Sequence, residues 1–197
     1  ATYTQNIVVS DTTAPEFEFV AEDETIECDM AIPAADAEAF DNCGTVSIEV
    51  TEEEVAGDCP QNYSIIRTYT AMDECGNMST ATQTITIVDT TAPVFEAYEI
   101  EVEAPCDNIV VAELIATDNC GMVSISFLDS PVSGGCAGVI IRDYVAVDEC
   151  GNTATAQQII TLTDVVPPVF VDGPADMNVE CDNVPAESAT PIAEDNC

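Results

Sequence analysis

The chain has no histidine, no lysine and no tryptophan, and its only basic side chains are Arg67 and Arg142 against 38 acidic ones, a formal net charge of −36 over 197 residues. Each absence removes a class of function. Without histidine or lysine the commonest general bases and every Schiff-base nucleophile are gone, as are Lys–Asn isopeptide staples. Nucleic-acid binding through phosphate contacts needs Lys and Arg, and an anionic membrane surface repels such a chain. No apolar run approaches the ~18 residues of a membrane-spanning helix, and no stretch shows helical periodicity. Paired carboxylates are the tools of glycoside hydrolysis, but here they recur with every repeat, as a catalytic site rarely does. The expectation is no enzyme, no nucleic-acid partner and no membrane insertion by this segment.

What the chain has is repetition. DTTAP at 11–15 returns at 89–93 and as DVVPP at 164–168; DNC stands at 41–43, 118–120 and 195–197; DECGN stands at 73–77 and 148–152. The ten cysteines fall into four positional classes whose copies lie 75–78 residues apart: first Cys28, Cys106 and Cys181; second Cys43, Cys120 and Cys197; third Cys59 and Cys136; fourth Cys75 and Cys150. Fixed-period self-similarity marks an array of like modules. The expected organisation is 1–10 as the last strand of a preceding repeat (ATYTQNIVVS matches ATQTITIVDT at 81–90), 11–88 and 89–163 as full repeats, and 164–197 as the first part of another, a stretch of a longer array. A module this small buries a modest core and usually needs a staple. Disulfides in an oxidising compartment supply it; zinc is the rival, but neighbouring cysteines stand 14–16 residues apart with no CxxC knuckle.

The pattern within a repeat is β. SIIRTYTAM (64–72) and TATQTITIV (80–88) alternate, are rich in β-branched residues and meet at a turn holding Gly76 and Asn77, which predicts a hairpin. TVSIEVTEE (45–53) and MVSISFL (122–128) predict another strand, opened by DNCG. Short strands with turns every 8–12 residues predict an all-β fold of tandem immunoglobulin-like sandwiches. The order DTTAP, ECD or PCD, DNCG, a further cysteine, then YTAMDECGN or YVAVDECGN resembles the hyalin repeat, and more closely the four-cysteine hyalin-like repeats of giant Bacteroidota surface adhesins. The resemblance covers nearly the whole chain. It implies export, commonly by type IX secretion, an extracellular place at the cell surface, and a role in adhesion, gliding or long filaments. The third copy departs from it by replacing the Thr pair with DVVPP.

In a sandwich of that kind the first strands end far from the entry linker, and the third-class cysteine lies at the same far end. The DNCG loop and the DECGN turn return to the entry end. This places the bridges at Cys28–Cys59, Cys43–Cys75, Cys106–Cys136 and Cys120–Cys150, with neighbour pairing, first to second and third to fourth, as the alternative. On the strand that carries them, Ile65, Arg67, Tyr69 and Ala71 share one face, matched by Ile140, Arg142, Tyr144 and Ala146, so each arginine is expected inside, paired with a carboxylate or stacked on an aromatic ring. At the entry ends Asp11, Asp41, Asp73 and Glu74 should converge, and likewise Asp89, Asp118, Asp148 and Glu149. Such carboxylates either cap tight turns or hold Ca²⁺ at the junctions between repeats. DTT at 11–13 and 89–91 resembles an O-glycosylation motif of the same bacteria, which makes Thr12 and Thr90 candidate sugar acceptors, and NYS at 62–64 and NMS at 77–79 fit the N-glycosylation sequon. The functional expectation is a filament or stalk segment whose partners are neighbouring repeats and other copies in a homo-oligomeric fibre. The alternative is a set of modules that bind glycans or surfaces themselves.

Overall fold

A computed structural model describes residues 2–131, 138–173, 176–182 and 191–197. It is all-β. The first repeat contributes β1 (Glu16–Val20), β2 (Glu24–Glu27), β3 (Ala37–Phe40), β4 (Val46–Ala56), β5 (Tyr63–Asp73) and β6 (Met78–Val88). The second contributes β7 (Val94–Phe95), β8 (Glu101–Pro105), β9 (Ala116–Thr117), β10 (Ser124–Asp129), β11 (Val139–Val147) and β12 (Thr153–Thr163), followed by β13 (Val169–Asp172) and β14 (Ile192–Glu194).

Each repeat is built to one plan. In the first two repeats the first and third strands form a two-stranded sheet, β1 with β3 and β7 with β9, and β13 pairs with β14 in the same antiparallel way as β1 with β3. The other four form a second sheet, in the order β2-β6-β5-β4 and then β8-β12-β11-β10. The second strand runs parallel to the last, Glu27 beside Val88 and Pro105 beside Thr163. This is a disulfide-stapled, immunoglobulin-like sandwich arrangement. The predicted hairpin is β5–β6, in register from Tyr63↔Ile87 to Met72↔Met78. Its turn places Gly76 at φ 88°, the left-handed region that only glycine enters without strain.

Compact packing divides the chain into unit 1 (1–94, 117–124 and 147–153) and unit 2 (95–116, 125–146 and 154–197). These are not the repeat bounds, because the loops carrying Cys120 and Cys150 pack with the first repeat rather than with their own. Residues 2–10 take no secondary structure and are exposed. Their sequence matches β6, which is held between β5 and β2; among the described residues no strand pairs with 2–10. The core of unit 1 is Ile65, Ile85 and Ile87 with Ile26, Cys28 and Tyr63 against them. That of unit 2 is Ala104, Ile140, Ile160 and Leu162, with Val102, Cys106, Ile109 and Val111 alongside.

Beside each aliphatic cluster lies a buried polar belt. Arg67 is 4% exposed, and its Nε donates to Glu52 Oε1 on β4, directly opposite, at 2.6 Å. Its Nη1 donates to Gln83 Oε1 at 3.4 Å, which also accepts from the Tyr69 hydroxyl at 3.0 Å, while Gln83 Nε2 donates to the Glu22 carbonyl at 2.8 Å. In unit 2 Arg142 grips Asp129 with Nε and Nη2, at 2.6 and 2.8 Å, and its guanidinium lies 4.0 Å above the Phe127 ring. Tyr144 donates to Gln158 Oε1 at 3.2 Å, and Gln158 Nε2 donates to the Glu99 carbonyl at 2.9 Å. A buried charge without a partner is costly, so each arginine is kept with its own carboxylate.

The hydrogen bonds from Arg142 hold Asp129 below its ordinary pKa against the opposing pull of burial. An unfolded Asp titrates near ~3.9, so this stabilisation is complete above that value and is lost as pH falls through the lower folded-state pKa. Asp129→Asn is expected to destabilise unit 2 at neutral pH by roughly 1–2 kcal/mol, the modest figure reflecting partial exposure of the carboxylate. In urea titrations the difference from the parent should shrink as the pH is lowered below ~3.9. A difference independent of pH would show that the carboxylate's charge is not what stabilises the pair.

Candidate cation sites and the disulfides that frame them

The DNCG and DECGN loops put their aspartates where the linker enters, because β4 begins just after the first loop and β5 ends at the second. In unit 1 this happens twice. Asp11, Asp41 and Asp73 bring carboxylate oxygens within 4.8 Å of one another, and so do Asp89, Asp118 and Asp148.

The roles of the two oxygens of each carboxylate differ. Asp11 Oδ1 accepts from Thr13 N at 3.0 Å, Asp41 Oδ1 from Cys43 N at 2.8 Å, Asp89 Oδ1 from Thr91 N at 3.3 Å and Asp118 Oδ1 from Cys120 N at 2.9 Å. Each is the two-residues-on bond that caps an Asx turn. The Oδ2 atoms of the same four residues are buried without a hydrogen-bond partner. An unpaired buried carboxylate oxygen is costly, and here two face each triad. Turn capping therefore uses one oxygen of each side chain and leaves the other uncommitted, so capping does not compete with holding a cation.

The third member of each triad is held more tightly. Asp148 accepts from Cys150 N and Asn152 N through Oδ1, at 2.8 and 2.9 Å, and from Asn152 Nδ2 through Oδ2 at 2.8 Å. Asp73 accepts from Asn77 N and Nδ2, both at 2.8 Å. Burial pushes both carboxyls up, but the Asn side chain and the turn's backbone N–H groups outweigh it and leave both pKa values lowered. Asp89 goes the other way. Burial raises its pKa, only the Thr91 N–H opposes, and the nearby Asp118, Asp148 and Glu27 raise it further. It is 4% exposed.

A cation of Ca²⁺ size takes six to eight oxygens at about 2.3–2.6 Å, so two of its ligands can stand up to about 5 Å apart. Three carboxylates with oxygens inside 4.8 Å, two of them offering an orphaned atom, fit that ion; backbone carbonyls and water would complete the shell. The expected fourth ligands do not join. Glu74 instead accepts from Thr45 Oγ1 at 2.8 Å, and Glu149 accepts from Gln61 Nε2 at 2.6 Å and Met122 N at 3.4 Å.

The disulfides correct the expected pairing. Cys28 bonds Cys120, Cys59 bonds Cys150 and Cys106 bonds Cys197, at sequence separations of 92, 91 and 91. None of the bridges Cys28–Cys59, Cys43–Cys75, Cys106–Cys136 and Cys120–Cys150 forms, nor does neighbour pairing; Cys43, Cys75 and Cys181 are exposed free thiols, and Cys136 lies outside the described residues. First-class cysteines take second-class partners of the following repeat, and a third-class cysteine takes a fourth-class one. The cause is proximity across the linker. Cys28 N donates to the Val88 carbonyl at the end of β6, and Asn62, three residues beyond Cys59, accepts from Asp89 N at 2.7 Å. Both cysteines therefore sit where the next repeat's Asp118 and Asp148 loops arrive, and the Cα atoms meet at 6.1 and 5.1 Å, within disulfide reach.

Two neighbouring residues complete the picture, Gln61, which the sequence pattern does not mark, and Asn62, which it marks only as a sequon. Gln61 reaches Glu149 and Asn62 caps Asp89. Asn62 Nδ2 donates to Asp58, and Asn77 Nδ2 to Asp73 and the Asp11 carbonyl, so both sequon nitrogens are engaged. Thr90 is exposed but its hydroxyl donates to Glu27, whereas Thr12 is exposed.

No protein-family model matches the chain. It is similar to hyalin of Strongylocentrotus purpuratus, 30% identical over 138 residues, which cover 64% of this chain and 11% of hyalin. The chain thus spans about a tenth of the length of the curated relative it matches. Among solved structures it resembles Drosophila N-cadherin EC1-4 at 13% identity, covering 77% of this chain and 50% of that one with a TM-score of 0.38. Sidekick-1 immunoglobulin domains 1-4 match at 10% identity, over 77% and 49% of the two chains, again with a TM-score of 0.38.

A disulfide closing about 90 residues is worth about 4–5 kcal/mol in the loop-entropy treatment. Proteolysis without reductant should release linked peptides joining Cys28 to Cys120 and Cys59 to Cys150. The Cys59→Ser/Cys150→Ser double variant should unfold at markedly lower denaturant while leaving Cys28–Cys120 formed. A linked Cys28–Cys59 peptide would restore the within-repeat arrangement.

Proposed function

We propose that this chain is a spacer segment of a long extracellular adhesin array, in which repeats such as 11–88 and 89–163 extend reach and carry tension. The observation that supports this best is the bonding of one repeat to the next, Cys28–Cys120 and Cys59–Cys150. Disulfides persist in oxidising surroundings, and the similarity to hyalin points the same way. The motif order favours the surface-adhesin form found in Bacteroidota, exported by type IX secretion and displayed at the cell surface, with side-by-side association of chains into a fibre. Calcium at the Asp89/Asp118/Asp148 triad, and at Asp11/Asp41/Asp73, would neutralise converging carboxylates and stiffen the linkers they surround.

Two measurements test the two halves of this reading. Pulled by its ends, the intact protein should yield little, because its shortest covalent route runs through residues 1–28 and 106–120. At 3.3–3.6 Å per residue that is about 150 Å, against about 650–700 Å for the whole chain after reduction. Long unfolding steps without reductant would rule out the load-bearing role. Calcium should raise the melting temperature, by the equivalent of about 2.7 kcal/mol at a hundredfold excess over its Kd, with the gain cut by Asp89→Asn or Asp118→Asn. Absence of both a thermal shift and a calorimetric signal would return these aspartates to turn capping alone.

A further inference from the structure

The loops at Cys43 and Cys75 share their turn geometry and aspartate caps with the loops whose cysteines are already bonded. Gly44 and Gly121 have φ of 120° and 116°, and Gly76 and Gly151 have φ of 88° and 89°. Cys43 N donates to Asp41 Oδ1 as Cys120 N does to Asp118 Oδ1. Asn77 Nδ2 donates to Asp73 Oδ2 and to the Asp11 carbonyl, as Asn152 Nδ2 does to Asp148 Oδ2 and to the Asp89 carbonyl. The Asp11/Asp41/Asp73 triad is assembled as fully as the other. The sulfur atoms differ: Cys120 and Cys150 carry disulfides to Cys28 and Cys59, while Cys43 and Cys75 are free and exposed.

We propose that Cys43 and Cys75 form the receiving half of a two-disulfide junction, preorganised to accept a first-class and a third-class cysteine from another repeat of the same kind. Its partner is identified by chemistry: a repeat whose exit end presents two thiols spaced as Cys28 and Cys59 are. Cys181, a first-class cysteine with a free thiol, is the complementary donor for a second-class acceptor. Formation needs an oxidant, here a disulfide-bearing one such as oxidised glutathione or a dithiol oxidase. The Cys43 thiolate displaces one thiol from it to give a mixed disulfide, and the incoming first-class thiolate displaces the second. For each bond two protein thiols are oxidised and one oxidant disulfide is reduced to two thiols. The same exchange joins Cys75 to the third-class cysteine. This rests on the repeat-to-repeat bonding alone, independently of calcium or load.

The test is the full chain extended by one repeat, residues 1–88 followed by 11–197, with Cys43→Ser and Cys75→Ser in the added copy so that only the following Cys43 and Cys75 are read, oxidised with a glutathione redox pair and mapped by Glu-specific proteolysis after alkylation of free thiols. The expected result is a linked peptide joining the added copy of Cys28 to the following Cys43, a second joining the added copy of Cys59 to Cys75, and loss of both alkylation marks on a species that runs as a monomer without reductant. Reductant-sensitive dimers in which Cys43 is linked to Cys181 would support the same junction with the partner supplied by a second chain. A Cys43–Cys75 bond, or both thiols still alkylated while the other bridges are complete, would overturn the proposal. Should the extended chain not fold, alkylation of the 197-residue protein decides: Cys43 and Cys75 marked together with Cys28, Cys59, Cys106, Cys120, Cys150 and Cys197 protected supports it, and a bond between Cys43 and Cys75 overturns it. Either map is read independently of stretching or calcium, so failure here and failure of the spacer reading are separable.

Discussion

The bond that leaves one repeat and enters the next is the constraint on which the rest depends. A sandwich of about 75 residues has a thin core, and a staple within itself would be the ordinary remedy. Here the staples cross the linker, so that the exit end of one repeat and the entry loops of the following one become a single compact unit. Sulfur fixes the Asp118 and Asp148 loops against Cys28 and Cys59, and that fixation gathers Asp89, Asp118 and Asp148 into a space where three like charges would otherwise drive the loops apart.

Charge is managed by two devices of opposite sign. Inside each sandwich the only cationic side chains of the chain, the buried Arg67 and Arg142, are spent on the partly exposed carboxylates of Glu52 and Asp129. None is left for the linkers. Of the protein's own groups, the carboxylates gathered there have only backbone N–H groups and asparagine side chains to balance them. Both are visible, as Asx turns and as the Asn77 and Asn152 clamps; the orphaned Oδ2 atoms are left over by both, open to a cation or to water.

Much of this was legible in the amino-acid order. Alternation placed Ile65, Arg67, Tyr69 and Ala71 on one inward face, and the repeated turn residues located the hairpin and the acidic loops. The cysteine partners were not legible. Strand order put Cys28 and Cys59 at the exit end and Cys43 and Cys75 at the entry end, but a repeat considered alone offers partners only from within itself. What decides the pairing is that one repeat's exit meets the next one's entry, a fact about neighbours. The length of a glutamate side chain hid the roles of Glu74 and Glu149 in the same way: each was near enough in the chain to join a triad, yet Thr45 and Gln61 stand within easier reach. Gln83 and Gln158 were passed over because polar residues in a β-branched strand resemble an outer face.

Overlapping sulfur links also change what a cut in the backbone means. The three bonds span 28–120, 59–150 and 106–197, so every peptide bond from residue 28 to residue 197 is bracketed by at least one of them. A protease that severs an exposed loop anywhere in that stretch leaves two fragments still tied together. An environment rich in secreted hydrolases can nick such a chain several times before parting it.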